Sequence, residues 1–311
     1  VISFILIVGL TIVNIFGVNV SKFVNNLITI SKLVPLTLFI AIGIFFINGA
    51  NFTPVFPQDT YVDGSFAQAA VLLFFAYTGF EVIAIAAEDM KNPKKNLPRA
   101  IIMCMLLVSV LYMAILAVSI GVLGTDLANT KAPVQDAFNV IVGPIGMYIV
   151  LVGTLISMGG INFAEAYYAP RVATSMAEDG MLPSALAKRN RYNAPYVAAI
   201  VTAIASVLLA WSGSFTTLAA ISAVSRFTQY LPTCLAVIIF RRKWADKARS
   251  YTIPGGYLIP VIAIGTSLWM LAQAQTNQLL WGLGGCIIIL PFYYSYWKKK
   301  KAGLIKDHDE M

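Results

Sequence analysis

Nine apolar runs divide this 311-residue chain, at approximately 1–18, 24–48, 65–88, 99–124, 143–170, 195–213, 216–240, 254–275 and 279–297. Most come near the roughly twenty residues needed to cross about 30 Å of hydrocarbon. A backbone in lipid has no solvent partners, so each run is predicted to be a helix that closes its own hydrogen bonds. Strands of a membrane barrel would be roughly ten residues long and alternate in polarity, and these runs do neither. The fold class is therefore an all-α polytopic membrane protein with about nine transmembrane helices. Charged residues make up 12% of the chain and the mean hydropathy is +0.78, whereas soluble domains carry about 25% charge. A single water-soluble core is excluded.

The net charge of +8 is concentrated in alternate connections. Lys91, Lys94, Lys95 and Arg99 lie in one, and Lys188, Arg189 and Arg191 two connections later. Arg241, Arg242, Lys243, Lys247 and Arg249 follow, then Lys298, Lys299, Lys300, Lys301 and Lys306 in the tail. The connections between them hold only Lys131. By the positive-inside rule the basic side faces the cytoplasm, which puts the C-terminus inside a cell-membrane protein and starts the first run outside. Trp211 and Trp281 mark the outer boundary, and Tyr293, Tyr294, Tyr296 and Trp297 the inner one. These basic clusters are short flanks of spans, which argues against nucleic acid as a partner and for contact with anionic lipid. An odd number of crossings with an outside start, and no initiator Met before Val1, predict that the chain lacks earlier helices.

Charges inside spans are expensive and therefore informative. Four lie deep: Lys32, Glu81, Glu165 and Arg226, with Glu88 and Arg171 nearer the span ends. In "FFAYTGFEV" Gly79 weakens a helix two residues before Glu81. Either this is a packing glycine beside an acid that caps a neighbour, or the helix breaks and exposes backbone to a ligand. Lys32, just before Pro35, either snorkels to the cytoplasmic face or points inward, where desolvation suits it to carry a proton. No histidine lies in a span, so Lys32 is the candidate for proton coupling. Arg226 lies ten residues in from Thr216, where its span begins. It is predicted to pair with a carboxylate, Glu165 first and Glu81 second. Thr154, Ser157, Gly159 and Gly160 suggest a close-packing face on the fifth span. Cys104, Cys234 and Cys286 sit in apolar runs as small hydrophobes. The lone histidine, His308, is in the tail, and no cluster suggests a metal or cofactor.

Three cytoplasmic motifs carry turn chemistry. "AAEDMKNPKKNLPRAI" (86–101) turns through Asn92-Pro93 and is expected to restart a helix at Leu97-Pro98-Arg99, proline suiting a first turn. "RVATSMAEDGMLP" (171–183) stops a helix at Asp179-Gly180. "YTIPGGYLIP" (251–260) turns into the eighth span. Together with "FFAYTGFE", in this order, these pieces resemble the amino acid–polyamine–organocation superfamily of permeases, over essentially the whole chain. The resemblance implies a five-plus-five inverted-repeat (LeuT-like) fold entered at its fourth helix, without the first three. On that plan 1–48 is the remainder of the first repeat, 65–240 the second, 254–297 two added helices and 298–311 a cytoplasmic tail. It also implies a substrate site at the broken helix. The backbone of Phe75, Ala76 and Thr78 would receive the substrate ammonium, Phe75 or Tyr77 would serve as a lid, and Glu81 beside Gly79 would support the break. Lys32 matches a lysine that some proton-coupled members place where relatives bind sodium. The segment that binds the substrate carboxylate in the family is not in this chain.

The expected function is secondary transport of amino acids or related amines by alternating access with proton symport. Exchange of one amino acid for another is the nearest alternative. A truncated chain that does not transport, a membrane scaffold and an intramembrane enzyme are the others. The enzyme would need a nucleophile–base pair or metal ligands at membrane depth, which the sequence does not supply.

Overall fold

The computed structural model describes residues 2–16, 22–53, 65–81, 83, 90–245, 249 and 251–301. Among them it contains ten α-helices: α1 (Ile2–Ile15), α2 (Lys22–Gly43), α3 (Ser65–Ala76), α4 (Pro93–Leu123), α5 (Pro133–Val142), α6 (Pro144–Glu178), α7 (Tyr196–Ser212), α8 (Phe215–Lys243), α9 (Leu258–Gln273) and α10 (Thr276–Lys301). Each apolar run of the sequence carries one of them. Five, centred on α2, α4, α6, α8 and α10, are long and apolar enough to cross a membrane. The helices α1, α3, α7 and α9 are apolar but shorter. An all-helical polytopic membrane protein follows. Glu88, His308 and tail residues 302–311 lie outside the described residues.

The chain divides into two compact units, the first formed by Val1–Pro57, Leu111–Ser212 and Leu290–Met311, the second by Gln58–Val110 and Gly213–Ile289. In the first unit α2 packs on α6 through glycines. A Cβ on Gly153 would lie 2.5 Å from Pro35 Cγ and from the Ser31 carbonyl, and one on Gly160 2.5 Å from Ile28. Seven-residue spacing puts Gly146, Gly153 and Gly160 on one stripe, with Ser157 buried beside it. Of the expected face, Ser157 and Gly160 lie on this stripe, while Gly159 meets nothing within 4 Å and Thr154 is exposed. Gly153→Val is expected to destabilise this unit by about 1–3 kcal/mol, because the obstructing atoms are backbone and a proline ring. Thermal unfolding in detergent measures it.

The core of this unit joins Phe39, Val118, Ala137, Phe138 and Val150, with Phe39 and Phe138 edge-on at 5.7 Å. Ala137 and Phe138 come from α5, a helix within the connection 125–142 that apolar run length does not reveal. Its signal is amphipathic rather than apolar: Val134, Ala137, Phe138 and Ile141 recur at i, i+3, i+4 and i+7 behind Pro133 at the helix start.

In the second unit Val71 of α3 packs on Ala220 and Ala223 of α8. Gly282 of α10 leaves room for Val224, which a Cβ would approach to 2.7 Å. The basic turn motif behaves differently from expectation. Asn92 takes φ 50° and α4 begins at Pro93, not at Leu97, so Pro98 lies inside the helix. Proline at the first helical position loses no bond there, which makes Pro93 the better start. In the first unit α6 ends at Glu178, Gly180 takes φ 78°, and the Met181 amide donates to the Met176 carbonyl at 2.9 Å. This is the glycine-terminated stop that the sequence predicts.

Candidate functional site

The second unit holds an apolar helix that stops inside its apolar run. α3 stops at Ala76, Tyr77–Gly79 form a turn, and Phe80 and Glu81 enter a 3-10 turn. Gly79 has φ +104°, a backbone conformation that side chains rarely adopt, and a Cβ there would meet nothing within 4 Å. Glycine is therefore required by the dihedral rather than by space. The turn tightens α3 with short-range bonds. The Tyr77 amide donates to the Phe74 carbonyl, and the Thr78 amide to the Phe75 carbonyl, both at 3.1 Å. The Thr78 hydroxyl also donates to the Phe75 carbonyl at 2.7 Å.

Glu81 organises what the turn leaves open. Its side chain is 14% exposed and forms an ion pair with the Arg226 guanidinium through Oε1. Its Oε2 accepts from the Gly79 amide and from the Tyr230 hydroxyl, each at 3.0 Å. Arg226 and Tyr230 are four residues apart on α8, one turn of one face, so one helix delivers both to one carboxylate. Aromatic rings enclose the group: Phe74 stacks on Phe227 at 4.7 Å and stands edge-on to Tyr230 at 5.9 Å, and Phe80 stacks on Tyr230 at 5.8 Å. Phe227 is fully buried.

This corrects the expected pairing of Arg226. The partner is Glu81, the second candidate, which the turn holds within reach. Glu165 belongs to the other unit, on α6, where it lines a cavity with Asn14 and Asn162 and has no hydrogen bond or ion pair among the described residues. The Phe75 carbonyl, expected to receive a ligand ammonium, already accepts two hydrogen bonds, so a ligand reaches it only if the Thr78 hydroxyl turns away. Tyr230 and Phe227 were not among the expected residues. The signal for Tyr230 was its hydroxyl one turn from the single deep cation of the eighth helix.

Lys32 lies on α2 in the first unit. It lines a cavity of about 180 Å³ with Ser31, Pro35, Thr154 and Ser157. Its ammonium has no hydrogen bond or ion pair among the described residues. Lys32 itself is exposed.

Comparison with known proteins gives a consistent set. A family model described as amino acid permease matches residues 1–292. The chain is 29% identical over 304 residues to the branched-chain amino acid permease BcaP of Bacillus subtilis, covering 96% of this chain and 64% of that protein. It is 30% identical over 256 residues to the methylthioribose transporter of the same organism, covering 82% and 55%. It is 29% identical over 314 residues to the serine/threonine exchanger SteT, also of B. subtilis, covering 97% and 70%. The chain thus spans between about half and two thirds of the length of the first two relatives.

Proposed function

The chain belongs to the amino acid permease family, and from that premise we propose that it acts in secondary transport of amino acids across the cytoplasmic membrane, by alternating access coupled to protons. It is a transporter polypeptide, not an enzyme. The observation that carries the proposal is the end of α3 at Ala76 in the turn Tyr77–Gly79, whose Gly79 amide Glu81 holds. Unwound backbone offers carbonyl oxygens to a substrate ammonium. We assign that role to the turn from Phe75 to Thr78, with Phe75 or Tyr77 as the lid and Lys32 as the proton carrier. Glu81 is neutralised by Arg226, so it fixes the shape of the site and leaves the backbone to bind the ammonium. On this reading nine crossings follow the LeuT-like plan, with 1–48 completing one repeat, 65–240 forming the second, 254–297 added and the C-terminus cytoplasmic.

Exchange is the second reading, favoured by the resemblance to a protein named as an exchanger. Uptake of labelled leucine and serine into proteoliposomes, with and without a pH gradient, separates the two. Symport predicts uptake driven by an inward proton gradient and lost in Lys32→Ala. Exchange predicts uptake that depends on internal amino acid. Uptake that ignores the gradient and is unchanged in Lys32→Ala overturns the proton role.

A further inference from the structure

A cavity of about 250 Å³ opens between α1, α6 and α7, wholly within the first unit and away from Lys32. Its walls carry Thr11, Asn162, Glu165, Thr202 and Ser206 among leucine and alanine side chains. The hydrogen bonds of these groups decide what the cavity can hold. The Thr11 hydroxyl donates to the Ile7 carbonyl at 2.7 Å. The Thr202 hydroxyl donates to the Ala198 carbonyl at 2.9 Å. The Asn162 amide nitrogen donates to the Met158 carbonyl at 2.8 Å. A hydroxyl has one proton, so both threonines can only accept from anything in the cavity, whereas the Asn162 amide offers its oxygen and one further N–H, and the Ser206 hydroxyl, which makes no hydrogen bond among the described residues, can donate or accept. The Glu165 carboxylate adds a full negative charge with no partner among the described residues.

The nearby cation is already engaged. Arg171 lies six residues along α6, about 9 Å of helix rise. Its Nη1 donates to the Asn14 Oδ1 at 3.1 Å and to the Tyr167 carbonyl at 2.7 Å, and its guanidinium stacks on the Tyr167 ring. Asn14 in turn donates to the Ala166 carbonyl at 2.6 Å. Arg171 is thus tied back and leaves Glu165 unneutralised. Glu165 is exposed at this cavity, and a carboxylate in an apolar helix without a countercharge is a candidate functional position.

We propose that this cavity is a second binding site, selective for a small primary ammonium. The ammonium would donate to Glu165 and the threonine and asparagine oxygens, and its apolar tail would lie against the leucine and alanine wall. The volume falls below the roughly 300 Å³ where drug-sized pockets begin, which limits the ligand to a few carbons. The proposal does not rest on the transport reading, because it uses neither the α3 break nor Lys32.

The test is binding of n-propylammonium chloride to the detergent-solubilised chain by isothermal titration, at fixed ionic strength. Saturable binding is expected. Glu165→Gln, which keeps the shape, should weaken it at least tenfold, and Thr202→Val severalfold, with both variants eluting as the parent does in gel filtration. Tetramethylammonium, equal in charge but without N–H donors, should not compete. Glu81→Gln, which removes the charge paired with Arg226 in the other unit, should leave the binding in place, so failure of the transport reading and failure of this one are separable. Absence of saturable binding, binding unchanged in Glu165→Gln, or equal competition by sodium or tetramethylammonium would each overturn the proposal.

Discussion

Glu81→Ala is expected to abolish amino acid uptake and to lower the stability of the second unit toward the low end of about 3–5 kcal/mol, the range for stranding one partner of a buried ion pair. One substitution orphans three groups: the Arg226 guanidinium, the Tyr230 hydroxyl and the Gly79 amide. The Arg226 side chain is 33% exposed, which softens the loss through partial screening. Arg226→Met should do less damage, because Glu81 keeps its two neutral donors. The double variant should be less destabilised than the sum of the singles, by about 0.5–3 kcal/mol of coupling. Thermal unfolding of the four proteins in detergent completes the cycle, and uptake of labelled leucine reports function. Strict additivity would show that the pair does not hold the break.

The sequence made the helices legible because membrane spans obey one strong constraint, a length of apolar residues that closes its own hydrogen bonds. What it could not show was contact. Arg226 demanded a carboxylate, but whether Glu165 or Glu81 satisfied it depends on which helix lies beside α8, and periodicity carries no such information. The packing stripe of α6 was only half placed, with Ser157 and Gly160 right and Thr154 and Gly159 wrong, for a related reason. Thr154, Ser157, Gly159 and Gly160 are all small, but only register against Pro35 and Ile28 picks out Gly153 and Gly160. The helix α5 escaped because a short amphipathic segment is invisible to a search for continuous apolar runs. The weak point at Gly79 was legible, since glycine beside a deep carboxylate breaks a local rule, and such violations gather where function requires them. Its internal hydrogen bonds were not. The Thr78 hydroxyl that occupies the Phe75 carbonyl follows from a turn geometry that no propensity encodes.

Gly79→Ala isolates that turn. At φ +104° an alanine is strained although its Cβ would touch nothing within 4 Å, so the effect is purely conformational, on the order of 1–3 kcal/mol. Strain of this kind is relieved by returning to the α region. The chain would then extend α3 past Ala76, and the residue-79 amide would leave the Glu81 carboxylate for the Phe75 carbonyl, four residues back. That carbonyl would be taken by a helical bond, and the Thr78 hydroxyl would be displaced from it. The acceptors proposed for the substrate ammonium would disappear without a cavity or clash being made. Uptake should fall more than tenfold while the protein stays folded, with helix content by circular dichroism unchanged or slightly raised. Gly159→Ala is the matched control. That glycine is inside α6 and also has open space around it, so alanine there should be neutral or stabilise by about 0.5–1 kcal/mol. If Gly79→Ala transported as well as Gly159→Ala, the turn after α3 would be a packing feature, and the substrate would have to be held elsewhere.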